Sequence, residues 1–183
     1  CMKTNIPNQI FKQSEHIIAV YNRLSYSLKS ILPFFAFMLC SATVSSQSIS
    51  SDSYIQNLKA SGQNARAIEL EHLLYDLQSA VYFFSGELKT YGEKPTSLFT
   101  EINSISAIGS SATLKNDIEI VTIEINSISD LSKTIDLSQF SGFNKLKYIY
   151  ILSNIQTNEM NINKLIQNPN PQYTIIYKIS IGG

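Results

Sequence analysis

Cysteine is missing from everything beyond residue 40: the chain has two, Cys1 and Cys40. That excludes disulfides, thiol catalysis and cysteine-based metal sites from the body of the chain. Histidine is almost as scarce, with His72 the single one beyond residue 46. Charge is thin, at 15 % of residues, and balanced, with 14 basic and 14 acidic side chains. No basic patch stands out beyond Lys145 and Lys147, so nucleic acid is not an expected partner, because phosphate neutralisation needs one. There is no G-x-S-x-G, no glycine-rich phosphate loop and no H-E-x-x-H, and nothing in the sequence calls for a cofactor.

Hydrophobic residues make up 44 % of the 183, enough for one globular domain and too many for a disordered tail. Their single long run, Ile31 to Cys40, follows Arg23 and Lys29 and precedes small polar residues. A basic flank, a short apolar run and a small-residue region read as a secretory signal. The expected division is a leader over 1–46 and one mature domain over 47–183, with Gln47 first after cleavage at Ser46. An uncleaved signal acting as a membrane anchor is the alternative. The run falls short of the ~20 apolar residues of a spanning helix, so no stable membrane span is expected after cleavage. Lipidation at Cys40 is disfavoured by Leu39, where a small residue belongs.

The body divides into helical support over 47–92 and repeated strand and crossover units over 96–183. Asp52 is placed to cap a short helix over Tyr54 to Ala60, ended by Ser61 and Gly62. Leu70, Leu73, Leu74, Leu77, Ala80, Val81, Phe84 and Leu88 form an apolar stripe that predicts a helix from Asn64 to Lys89. The Val, Tyr and Phe content of Ala80 to Phe84 is equally compatible with a strand; the stripe favours the helix. On that helix Glu69, His72 and Asp76 share a face. Three ligands on one helix make an incomplete metal shell, and a solvated His–Asp pair accounts for them.

Strands are expected near Thr96 to Ile102, Ile118 to Ile125, Lys145 to Leu152 and Tyr173 to Ile181, with a turn at Gly109 to Ser111. Long, partly helical connections over Ser129 to Gly142 and Thr157 to Asn168 favour parallel pairing. The fold class is therefore α/β: an N-terminal helical segment, then a short parallel sheet with crossover helices. Isoleucine pairs recur at 26-residue spacing: Ile123 and Ile125, Ile149 and Ile151, then Ile175 with Tyr177. Leu146, Ile149, Ile151 and Asn154 fit L-x-x-L-x-L-x-x-N, and over about residues 118–181 the chain resembles leucine-rich repeats. The resemblance implies a degenerate array of such units. Ile128 stands where the preceding copy should carry asparagine, which leaves an ordinary α/β sandwich equally open.

With period 2, residues 123, 125, 149, 151, 175, 177 and 179 face a core. The opposite face carries Thr122, Glu124, Tyr148, Tyr150, Thr174, Ile176 and Lys178. This is the expected binding surface of an exported interaction module for a protein, peptide or glycan, with the tyrosines as anchors. If a helix covers that face, the same tyrosines are core. Two further readings stay open: envelope assembly through a free strand edge at Tyr173 to Ile181, and a hydrolase without a recognisable motif. The latter would draw acids from Glu101, Asp117, Glu119 and Glu124, which solvation explains as well; enzymatic function is not expected.

Overall fold

The computed structural model of the protein describes residues 47–108 and 116–181. The expected leader over 1–46 and the expected turn at Gly109 to Ser111 lie outside the described residues. Among the described residues nine strands and four α-helices follow in chain order: β1 Ile49–Ser50, α1 Ser51–Ala60, α2 Asn64–Tyr75, β2 Ala80–Phe84, β3 Glu87–Tyr91, β4 Ser97–Glu101, α3 Ile105–Ile108, β5 Ile120–Ile125, β6 Ile135–Asp136, β7 Tyr148–Ser153, α4 Glu159–Leu165, β8 Ile166–Gln167 and β9 Thr174–Ile179. Seven strands form one sheet in the order β1-β9-β7-β5-β4-β2-β3, and β6 with β8 forms a second, two-stranded sheet. Every pair is parallel except the β2–β3 hairpin. The fold is thus α/β with a mostly parallel sheet.

Both faces of the sheet are used, as parallel sheets require. On one face Val121, Ile123, Ile125, Ile149, Ile151 and Ile175 pack against the crossover segments through Ile105, Ile108, Leu137, Phe140, Ile162 and Leu165. Tyr177 and Ile179 join that core only partly buried. On the other face Ile120, Tyr148, Tyr150 and Ile176 pack under α1 and α2 through Ile55, Leu58, Ala67, Leu70 and Leu73. The crossovers are shorter on helix than the sequence suggests. The connection expected over Ser129 to Gly142 is made of two 3₁₀ turns, Ile128–Ser132 and Leu137–Phe140, around β6.

α1 starts earlier than expected. Ser50 caps it by accepting from the Ser53 amide, while Asp52 sits in the first turn. α2 ends at Tyr75, not near Lys89: the residues expected to continue its stripe leave it, with Leu77 fully exposed. Val81 to Phe84 are β-branched and aromatic, and their gain from pairing with β3 and β4 exceeds what one more helical turn offers. Gln78 fixes the junction, its amide donating to the His72 carbonyl and accepting from Thr96 Oγ1 at 2.7 Å.

The register keeps the 26-residue step from β7 to β9 and departs from it between β5 and β7. Val121, Ile149 and Ile175 stand side by side, as do Ile123, Ile151 and Tyr177. The step from β5 to β7 is therefore 28 residues. A slip of two leaves every side chain on its expected face, since the strand period is two. It also brings Asn126, not Ile128, to the position equivalent to Asn154. The Asn154 amide donates to Asn126 Oδ1, and the Asn154 backbone donates to Ile125 O at 2.9 Å. Both asparagine side chains are exposed, unlike a buried ladder.

A divided sheet face as the candidate functional site

The face expected to bind is two surfaces. Over β5, β7 and β9 it is core: Thr122, Tyr148, Tyr150 and Ile176 are buried, and Ile176 has no exposed surface at all. Tyr148 meets Tyr54 of α1 edge-on, with ring centres 6.5 Å apart. Burial pushes the Tyr150 hydroxyl up to about 12, with the Tyr75 hydroxyl and Asp52 carboxylate adding to it. Tyr148 is raised for the same first reason, burial, and then by Tyr54. These residues are not available to a partner, because the apolar sides of α1 and α2 occupy the space above them. Glu124, Thr174 and Lys178 lie at the rim, half-buried. The Lys178 ammonium sits 5.7 Å from the centre of the Tyr75 ring, and Glu124 accepts from Asn126 Nδ2 at 3.1 Å.

Ion pairs hold the helical cover down. Lys147, just before β7, donates to Glu119 at 2.7 Å and to Glu69 of α2. Those two hydrogen bonds, Glu119 first, raise the Lys147 ammonium above its ordinary value. Glu69 is thereby committed to Lys147, and His72 Nδ1 pairs with Asp76. The three side chains do not converge, and no group of three or more His, Cys, Asp or Glu among the described residues could hold a metal ion. The four acids considered for catalysis are likewise spoken for: Asp117 by Lys145 at 2.7 Å, Glu119 by Lys147, Glu101 by Ser85 and Ser104, and Glu124 by Asn126.

Beyond the reach of α1 and α2 the same face continues over β4, β2 and β3 with aromatic side chains. Registration places Phe99 beside Thr122 and Tyr82 beside Phe99. Tyr82 and Phe99 stack with ring centres 4.9 Å apart and planes 10° from parallel. Phe84 lies 6.4 Å from Tyr82, and Tyr91 of β3 meets Tyr82 edge-on at 5.5 Å. Phe84 and Phe99 are half-buried, Tyr82 is 39 % exposed and Tyr91 59 % exposed. Leu77, Tyr82, Lys89, Tyr91 and Gly92 line an open cleft of about 780 Å³. Four clustered rings and a fully exposed leucine form a patch of the kind that marks interaction sites.

Local chemistry makes this platform rigid. The β2–β3 connection has two residues, Ser85 and Gly86, both with positive φ (52° and 81°), the type I′ geometry that matches strand twist. Glu101 at the end of β4 pins the turn, accepting from the Ser85 amide at 2.9 Å and its hydroxyl at 3.1 Å. At the other end Gly92 lies against Ser79: a Cβ there would come within 2.9 Å of the Ser79 Cβ. Sequence reasoning missed Tyr82, Phe84, Phe99 and Tyr91 as site residues because it placed the first two on a helix. The run Ala-Val-Tyr-Phe-Phe before Ser-Gly was the available signal.

Among the described residues no helix is long and apolar enough to cross a membrane. No protein-family model, curated protein or solved structure matches the chain.

Proposed function

We propose that the protein is an exported interaction module that binds an extended protein or peptide segment through the uncovered part of the sheet face. One observation carries this reading: the covered part of the face is sealed by two helices, whereas Tyr82, Phe99, Phe84 and Tyr91 form a braced aromatic surface that neither helix covers among the described residues. Aromatic anchors in a fixed geometry lose little side-chain entropy on binding and concentrate interface energy. Their rings stack against one another across the strands, which favours apolar side chains wedged into the Leu77–Tyr91 cleft over a flat sugar ring lying on a single exposed face. Export rests on the leader read from Ile31 to Cys40. The parallel strands β2, β4, β5, β7 and β9 of the large sheet stack in chain order, with β3 outside them and β6 and β8 in the second sheet, which supports reading the crossover units as a degenerate leucine-rich-repeat-like array.

Panning a displayed peptide library on the mature protein tests the reading. Enriched peptides should share aromatic or aliphatic anchors and lose at least tenfold in affinity for Tyr82→Ala and Tyr91→Ala, with both variants still folded. Peptides that bind the two variants as well as the parent refute it, and selective capture of oligosaccharides on a glycan array in place of peptides transfers the site to another class of ligand.

A further inference from the structure

The edge expected to be free, at Tyr173 to Ile181, is partly closed by the chain itself, because β1 pairs with β9 at Ile176 and Tyr177. The other edge is β3, and all five of its residues are exposed, Leu88 at 44 % and Tyr91 at 59 %. The two-residue turn fixes which backbone groups of β3 are already used. Phe84 and Glu87 close the hairpin and exchange both hydrogen bonds, and alternate pairs do the same, so Tyr82 bonds with Lys89 and Ala80 with Tyr91. Leu88 and Thr90 therefore turn their amides and carbonyls outward, towards whatever lies beyond the sheet.

We propose that β3 pairs antiparallel with β3 of a second copy, in the register that sets Leu88 opposite Leu88, making one continuous sheet across a two-fold axis. Two-fold symmetry makes any β3–β3 pairing antiparallel, and the outward groups at even positions admit only registers that oppose even with even. Centring the pair on Glu87 would place Glu87 against Glu87. Centring it on Lys89 would place Lys89 against Lys89, and centring it on Thr90 would place Lys89 against Tyr91, with no opposite charge to meet. Like charges directly opposite are destabilising. The Leu88-centred register alone sets Glu87 of each copy opposite Lys89 of the other, twice, with Leu88 against Leu88 between them. Those charged pairs fall at non-hydrogen-bonded positions, where side chains approach most closely. Glu87, Lys89 and Tyr91 share the aromatic face, since they register with Phe84, Tyr82 and Ala80. The two aromatic patches would then lie on one surface and engage a partner at two points.

A five-residue strand buries less than the ~1,000 Å² of a tight interface, so the expected dissociation constant is on the order of 100 μM. Sedimentation equilibrium from micromolar to millimolar protein should show a monomer–dimer equilibrium in the mature protein. Lys89→Glu alone and Glu87→Lys alone should each weaken it at least tenfold, and the combined exchange should restore it. The exchange reverses both charges and keeps the neighbouring pair that Lys89 and Glu87 make within one chain at 3.5 Å. Leu88→Lys should abolish the dimer with the far-ultraviolet spectrum unchanged. A monomer at every concentration, as expected if the edge instead takes an extended peptide, overturns the proposal. So does a dimer indifferent to the single reversals, or a double variant that fails to recover. None of these results depends on the peptide-binding reading, which is tested on monomer.

Discussion

Tyr148→Ala and Tyr82→Ala probe the two parts of one sheet face and should give opposite phenotypes. Tyr148 is 2 % exposed, packed under α1 and α2 and edge-on to Tyr54. Removing its ring forfeits ~1.5–3 kcal/mol of burial. The hole left behind, about 100 Å³ at ~24 cal/mol per Å³, adds roughly 2 kcal/mol unless the helices settle into it. A loss of ~3–5 kcal/mol follows, within the range seen for buried aromatics truncated to alanine and a large share of the stability of a domain this size. Tyr82 is 39 % exposed and rests on Phe99 and Phe84, so its truncation should cost only ~1–2 kcal/mol. Urea unfolding followed by circular dichroism reads both, with the slope checking that each variant unfolds as one unit. Equal losses in the two variants, or a Tyr148→Ala loss below ~1.5 kcal/mol, would refute the division of the face.

Three further outcomes follow from the geometry. Burial opposes ionisation of Asp130, but hydrogen bonds from Lys133, from the Ser127 hydroxyl and from the Asn126 and Ser127 amides outweigh it and hold the carboxyl at about 2. Because the folded value lies below the unfolded one, this stabilisation is complete above pH ~4 and fades as pH falls through ~2; in acid titration monitored by circular dichroism, Asp130→Asn should lower neutral-pH stability by up to ~2 kcal/mol and flatten the acid limb. Tyr150 shifts the other way: its folded value of about 12 exceeds the unfolded one, so stability is lost as pH rises from ~10 through ~12, and Tyr150→Phe should soften that alkaline loss in thermal melts. Gly92→Ala should cost more than ~1 kcal/mol in melts, since φ is 78° and the new methyl meets Ser79, and it should weaken peptide capture by displacing Tyr91.

The side-chain parity of the strands was legible because alternation survives any even slip. Isoleucines at 123, 125, 149 and 151 made the two-residue slip invisible: the 26-residue match aligns isoleucine with isoleucine, whereas the true register sets Val121 on Ile149 and Ile125 on Ser153. Asn126, hydrogen-bonded to Asn154, was the one residue that could have settled the step. The end of α2 was not legible from periodicity, since Leu77, Ala80 and Val81 continue the stripe; what ends the helix is strand pairing with β4, a long-range event. That error had a functional cost. Reading Ala80 to Phe84 as helix removed Tyr82 and Phe84 from the sheet, left Phe99 without neighbours, and moved attention to Tyr148 and Tyr150. The helices that bury those two are legible as amphipathic segments, but which strands they cover depends on where β1 docks, and two residues beside β9 leave little trace in a sequence.

Tyrosine nitration of the native protein, mapped by peptide mass spectrometry, tests the divided face most directly. Tyr82 and Tyr91 should react, and Tyr148 and Tyr150 should stay unmodified until the protein unfolds. Modification of Tyr148 or Tyr150 in the native state as fast as that of Tyr91 would contradict the account.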